Sequence, residues 1–367
     1  MLVGLHLEHA GLSPGLIGLT LGIGLGAASL TGLGAVAFAA RIGRRATLAG
    51  AGLLMAVTGL DLAVSTDPSL LVLAGATGML GAGSVDLGPF APIEQTALAE
   101  VATPKQRNLA FGRYALTGGL FNAGGGLAAG VANSANVRGF FLLYAALGLA
   151  TAVIPTFMSK HAESDVAAPA FGALRRRETR RVLAGLAALF ALDSFAGGFV
   201  VNAVISYWLH VRFGASPQVL GPVFAALAFL QAVSYEISAR LSVRIGLINT
   251  MVFTHLPSNV LLLLIAFTPS LGWAVALLLA RFLLSQMDVP ARQAYIVSIV
   301  PPEDRAAALA LTGAVRGVAQ AFGPVLSGVA IGAAAFGLPF YAGGGLKIGY
   351  DLTLFAAFRN RRAAHEL

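Results

Sequence analysis

"PIEQTALAEVATPKQR" occupies residues 92–107, and "PARQAYIVSIVPPEDR" occupies residues 290–305. At a constant offset of 198, Pro92, Gln95, Pro104 and Arg107 answer Pro290, Gln293, Pro302 and Arg305. The register continues outward from these stretches. Gly125 and Gly130 match Gly323 and Gly328 at the same offset. "SPGLIG" at 13–18 returns as "SPQVLG" at 216–221, and "RIG" at 41–43 returns as "RIG" at 244–246, each shifted by 203. One shared Pro or Gly means little, but a register held along most of the chain marks an internal repeat. Local chemistry explains several matches. Ser13 and Ser216 suit helix N-caps with Pro14 and Pro217 at the first helical position. Pro104 and Pro302 stop a helix, and the glycines of 118–130 and 323–337 permit close helix approach.

Composition sets the solvent in which this repeat folds. Of 367 residues, 57% are hydrophobic and 11% charged, less than half the roughly 25% charged residues of soluble domains. Mean hydropathy is +0.80. These values predict an all-α polytopic membrane protein. The chain has no cysteine, which excludes disulfides and thiol chemistry. Apolar runs predict eleven spans, about 15–40, 46–65, 69–98, 109–134, 137–157, 182–210, 217–242, 247–268, 270–298, 306–334 and 336–358. A polar linker at 158–181 holds Arg175, Arg176, Arg177, Arg180 and Arg181 and divides a first half (1–157) from a second (182–358), with a tail at 359–367. With that linker in the cytoplasm, one side collects Arg41, Arg44, Arg45, Lys105, Arg107, Lys160, the five linker arginines, Arg244, Arg305, Arg359, Arg361 and Arg362, and the other only Arg138 and Arg212. The positive-inside rule then puts the C-terminus in the cytoplasm. The basic excess therefore reads as topology and not as a nucleic-acid surface. Parallel halves related about the membrane normal are a transporter signature.

The loop "VAFAARIGRR" at 36–45 resembles the motif G-x-L-x-D-R-x-G-R-[KR] of the major facilitator superfamily of secondary transporters. Arg41, Gly43, Arg44 and Arg45 agree, while Val36, Phe38 and Ala40 replace the glycine, leucine and aspartate. Its second copy, "ARLSVRIGLI" at 239–248, keeps Leu241, Arg244 and Gly246 and has Val243 for the aspartate. "GPFAPIEQTALAEV" and "LLSQMDVPARQAYIVSIVPPEDR" are similar to a bacterial branch without a known substrate. The resemblance covers the whole chain. It implies a bundle of two six-helix halves, a cavity lined by the family's helices 1, 4, 7 and 10, proton-coupled alternating access and a monomer in a bacterial inner membrane. Its partners would be lipid, a small solute and protons, with no cofactor and no metal. The drug-efflux signature G-x-x-x-G-P is not met: Gly124, Gly125 and Gly126 lack the proline.

A charge inside a span costs roughly 2.5–3.5 kcal/mol at the bilayer centre on insertion scales, so each one asks for a role. The family's fourth helix (69–98) carries Asp86 and Glu94, its seventh (182–210) Asp193, and its tenth (270–298) Arg281, Asp288 and Arg292 along one stripe. Asp86, Asp193, Arg281 and Asp288 are the candidate substrate and coupling residues. Glu94 and Arg292 read as anchors near span ends. Asp288 and Arg292 are spaced i, i+4, as are Glu236 and Arg240, and Lys347 and Asp351, and each reads as a local pair. Arg113 and Arg316 read as packing or gate residues, and His255 as a hydrogen-bonded packing residue. "GIGLGAAS" at 22–29 has the glycines of a nucleotide loop but lies within an apolar span, so helix packing is expected. Neither a metal-ligand cluster nor a G-x-S-x-G elbow appears, and an enzyme is not expected.

A second reading is a truncated or non-transporting descendant of the family. The offset of 203 pairs Met1 with Val204, so the counterpart of residue 182 falls ahead of Met1. "MLVGLHLEHAGLSPG" at 1–15 then reads as the outer end of a first helix whose cytoplasmic part is missing.

Overall fold

The computed structural model describes residues 2–80, 88–91, 93–94, 107–133, 136–158, 177–299 and 305–359. Asp86, most of the central linker and the end of the tail lie outside the described residues. The helices before the linker are α1 (Leu2–His9), α2 (Pro14–Ile42), α3 (Arg44–Val64), α4 (Pro68–Ala76), α5 (Arg107–Ala129) and α6 (Val137–Val153). After it come α7 (Arg177–Gly198), α8 (Asn202–Phe213), α9 (Pro217–Ile245), α10 (Leu247–Ile265), α11 (Leu271–Ser285), α12 (Asp288–Ile299), α13 (Arg305–Gly332) and α14 (Leu338–Phe358). Seven stretches are long and apolar enough to cross a membrane among the described residues.

The repeat is visible in the backbone. α2 and α9 are both 29 residues long and start at Pro14 and Pro217, the offset seen in sequence. The Leu16 N–H donates to the Ser13 side chain at 3.4 Å, whereas Ser216 makes no side-chain cap. Both helices end on a glycine that is also the N-cap of the next helix. Gly43 has φ 88° and ψ 159°, and Gly246 has φ 86° and ψ 162°. A side chain at such φ meets its own backbone, so the corner requires glycine. The shared "RIG" is therefore a corner, drawn twice.

Glycines also bring helices together where α2 and α9 begin. A methyl group on Gly18 would stand 2.3 Å from the Pro324 carbonyl oxygen of α13, and one on Gly328 would stand 2.4 Å from that of Pro14. One on Gly221 of α9 would stand 2.3 Å from the Gly130 Cα at the end of α5. Backbone contact of this kind substitutes van der Waals packing for the hydrophobic drive that lipid removes. Gly22, within "GIGLGAAS", packs on Ala321 of α13, as its apolar setting predicted. A methyl group on Gly124 or Gly125 would meet nothing within 4 Å among the described residues.

Two predicted spans are not single helices. The span 182–210 breaks at residues 199–201, between α7 and α8, and the span 270–298 breaks at 286–287, between α11 and α12. Pro290 explains the second break, because it has no N–H to offer the carbonyl of residue 286. Neighbouring serines satisfy freed carbonyls. Ser327 donates to the Phe199 oxygen at 2.9 Å, and Ser238 donates to the Met287 oxygen. The break at 77–80, after α4, likewise interrupts the span 69–98.

Candidate functional site

Between two apolar layers of the second half lies a layer of charge. One apolar layer holds Phe199, Leu262, Leu278 and Phe340. The other holds Phe190, Met251, Tyr295 and Leu354. On α7, α10, the α11–α12 pair and α14, the residues between these layers include Asp193, His255 and Asn259, Asp288, and Lys347 and Asp351. All six side chains are buried.

Asp193 is the hub. Its Oδ1 accepts from Lys347 Nζ at 2.5 Å and lies 3.8 Å from His255 Nε2, while its Oδ2 lies 3.7 Å from Arg292 Nη1. Gly197 lies beside Lys347, where an added methyl would make ordinary van der Waals contact with its Cε and Nζ at 3.6 Å. Arg292 donates to Asp288 Oδ2 at 2.7 Å. His255 Nδ1 lies 2.8 Å from Asp351 Oδ1, and Asn259 Nδ2 donates to Asp351 Oδ2 at 2.9 Å. His255 thus stands between two carboxylates, one at each ring nitrogen. On the α13 side, Arg316 Nε donates to Ser194 Oγ at 2.9 Å. Arg281 is buried on α11, with no carboxylate contact among the described residues.

The structure brings together three of the four candidate substrate and coupling residues: Asp193, Arg281 and Asp288. Arg316, expected as a packing or gate residue, reaches the edge of this group through Ser194. Arg113 lies on α5, but its side chain is outside the described residues, as is all of Asp86. Arg292, expected as an anchor at a span end, is instead buried against Asp288 and Asp193, because the break at 286–287 starts a new helix there. The expected stripe of Arg281, Asp288 and Arg292 along one helix does not exist for the same reason. The expected local pair Lys347–Asp351 is also corrected: Lys347 reaches Asp193, and Asp351 is held by His255 and Asn259. Glu236–Arg240 does form, at 2.8 Å, on an exposed face of α9. Glu94 accepts from the Tyr114 hydroxyl at 2.6 Å.

The loop motif sits at the end of α2 remote from Pro14. Arg41 and Arg244 are exposed, Arg44 is buried, and Arg45 donates to the Met158 carbonyl. Among the described residues, no three His, Asp or Glu side chains converge as a metal site.

The family model for the Major Facilitator Superfamily matches residues 1–286 and 187–366. An uncharacterized membrane protein of Saccharomyces cerevisiae is 24% identical over 358 residues, covering 86% of this chain and 80% of its own length. Solved structures share the fold at low identity. The D-xylose-proton symporter has a TM-score of 0.70 at 15% identity, covering 96% of this chain and 91% of its own. The nucleoside transporter NupG has 0.69 at 14%, covering 97% and 94%. The human organic anion transporter MFSD10 (TETRAN) has 0.63 at 18%, covering 96% and 88%. With a family model spanning the chain and membrane transporters sharing its helical fold, the chain belongs to the major facilitator superfamily of membrane transporters.

Proposed function

We propose that this chain moves a small solute by alternating access and that the cluster around Asp193 couples the movement to protons. The observation that carries this reading is the placement of His255 between Asp193 and Asp351. The imidazole presents one ring nitrogen to each carboxylate, so the state of this one ring bears on contacts with α7 and α14 together. Every group facing His255 is part of the device: Asp193 on α7, Asn259 on its own helix, and Asp351 and the Tyr350 ring on α14, with Lys347 and Arg292 bound to Asp193. Charge buried this way is stable only while the helices keep these positions, and rocking one group of helices against another changes them.

The positive-inside bias supports an orientation in which the glycine-packed end at Pro14 and Pro217 faces outward and the "RIG" corners face the cytoplasm. A state closed toward the outside then follows from the contacts of Gly18, Gly221 and Gly328. The linker and C-terminus lie in the cytoplasm, and the resemblance to a bacterial branch supports an inner membrane. The three solved neighbours carry names of an organic anion, a nucleoside and a proton-coupled xylose transporter, so likeness of fold selects no substrate. Uptake and efflux use the same device.

The test is purified full-length protein in proteoliposomes, with a panel of solutes and an imposed pH gradient. A solute whose flux follows the gradient in the native protein, and ceases to follow it in His255→Gln, is the expected result. Flux in His255→Gln that follows the gradient as in the native protein overturns the coupling role. No gradient-driven flux of any solute in the native protein counts against transport.

A further inference from the structure

Among the described residues, Arg281 is a cation that the cluster leaves without a carboxylate contact, and unlike Arg316, which donates to Ser194, its Nε has no hydrogen-bond partner either. Its residue is only 6% exposed. Among the described residues no carboxylate lies within ion-pair distance of it, because each is already taken. Asp193 holds Lys347 and Arg292, Asp288 holds Arg292, and Asp351 holds His255 and Asn259. The aromatic ring near the guanidinium is that of its chain neighbour Phe282, at 5.3 Å. One turn along α11, Ser285 is buried as well, and its hydroxyl has no partner. Positions 281 and 285 are i, i+4 and share one face of the helix. That face ends where α11 gives out, beside the break at 286–287.

Two buried donors on one helix face, one of them a full charge, are costly unless something accepts from them. Neutral solutes satisfy hydrogen bonds but leave the charge uncompensated, and cations are repelled. An oxyanion meets both needs, since a guanidinium grips it through parallel N–H groups and a hydroxyl adds a third donor. The charge balance points the same way. The cluster sets Arg281, Arg292, Arg316 and Lys347 against Asp193, Asp288 and Asp351.

We propose that Arg281 and Ser285 form an anion subsite that holds the acid group of the transported solute, a carboxylate, sulfonate or phosphate. The inference rests on the transport reading above and names the substrate class for the same site.

Direct binding to the purified full-length protein in neutral detergent tests it. The probes are benzoate, inorganic phosphate and phosphatidylglycerol, with benzamide and phosphatidylcholine as neutral-headgroup or zwitterionic controls. At least one acid binds and its control does not. Arg281→Gln weakens that binding about 10- to 100-fold, and Ser285→Ala about 2- to 10-fold, by the loss of charged and neutral hydrogen bonds respectively. Arg281→Lys falls between native and Arg281→Gln, because it keeps the charge and loses the fork. Binding confined to phosphatidylglycerol assigns the acid group to a lipid headgroup, and binding of benzoate or phosphate assigns it to a free solute. Equal binding of acids and controls, no acid binding, or native affinity in Ser285→Ala and Arg281→Gln overturns the proposal. Ser285→Ala decides if Arg281→Gln fails to elute as a monodisperse peak. Acid binding without any flux leaves the subsite standing and removes the transport reading. Gradient-driven flux unchanged in Arg281→Gln does the reverse.

Discussion

The buried polar groups before and after the linker are satisfied in different ways. In the first region Thr20, Ser29, Thr47 and Thr58 are buried, and each hydroxyl donates to a carbonyl four residues back in the chain, at 2.8–2.9 Å, with Thr58 also 2.9 Å from the Thr77 hydroxyl. In the second, Lys347 on α14 reaches Asp193 on α7, Arg292 on α12 reaches the same carboxylate, and His255 on α10 lies between α7 and α14. A hydroxyl bonded within its own helix is indifferent to where the other helices stand. An ion satisfied only by several helices together is not. Among the described residues, the first region satisfies these hydroxyls locally and has Arg44 as its buried charge, while the second supplies a multi-helix ion cluster whose energy depends on helix arrangement, which coupling requires.

Asp193→Leu is the severest way to break that contrast. It leaves Lys347 buried without its carboxylate and removes one of two from Arg292. Breaking a buried pair from one side costs about 3–5 kcal/mol. Thermal unfolding in detergent should show that loss, with gradient-driven flux abolished. Lys347→Met with Asp193→Leu should recover much of the stability, since both charges then leave together, and none of the flux. Recovery of flux in the double variant would show that the cluster holds the fold and does not drive it.

The glycine contacts come next. Gly328→Leu places a side chain where a single methyl already stands 2.4 Å from a backbone oxygen. Overpacking of this kind costs about 1–3 kcal/mol. Gly124→Ala, with open space around it, should be neutral or stabilising by up to about 1 kcal/mol, because alanine suits a helix better than glycine. Equal melting temperatures for the two variants would mean that the α2–α13 contact is absent in the membrane.

The twin corners sharpen the comparison from the other side, because here the two regions are built alike. Gly43→Ala and Gly246→Ala each force a Cβ into φ near +87°, at a cost of about 1–2 kcal/mol. Matching losses in melting temperature support one corner used twice. A loss at Gly43 alone would instead assign the cost to the buried Arg44 beside it.

Much of this was legible in the sequence. The repeat, the glycine approaches and the buried charges Asp193, Arg281 and Asp288 follow from periodicity and from the cost of charge in lipid. Pairing was less legible. Lys347 and Asp351 have the spacing of a helical ion pair, yet each bonds to another helix. Spacing brings two groups to one face, but burial decides which partner wins, and burial is a tertiary property. His255, Asn259 and Lys347 were missed as members of the site for that reason. The available signal was a lysine and an aspartate within one apolar span that held no other charged residue. The helix breaks were legible in part: Pro290 announces one, while the break at 199–201 follows from α13 crossing at Gly198, where a methyl would stand 2.2 Å from the Gln320 oxygen.

Two pairs of identical spacing make the smallest and sharpest test of the same point. Arg292–Asp288 closes at 2.7 Å with side chains 3% and 5% exposed, and Arg240–Glu236 closes at 2.8 Å with side chains 78% and 68% exposed. Sequence cannot tell them apart, and bond length barely does. The exposed pair is worth at most about 0.5 kcal/mol, because surrounding solvent or headgroups replace each partner. Glu236→Gln should therefore leave melting temperature and flux at native values, and a double-mutant cycle with Arg240→Gln should give a coupling near zero. Asp288→Asn strips a charge partner from an arginine that has no solvent to turn to, so its cycle with Arg292→Gln should give a coupling several times larger. Similar couplings for the two pairs would mean that α12 opens to water in the resting protein, and that the charged layer is a lined channel and not a sealed cluster.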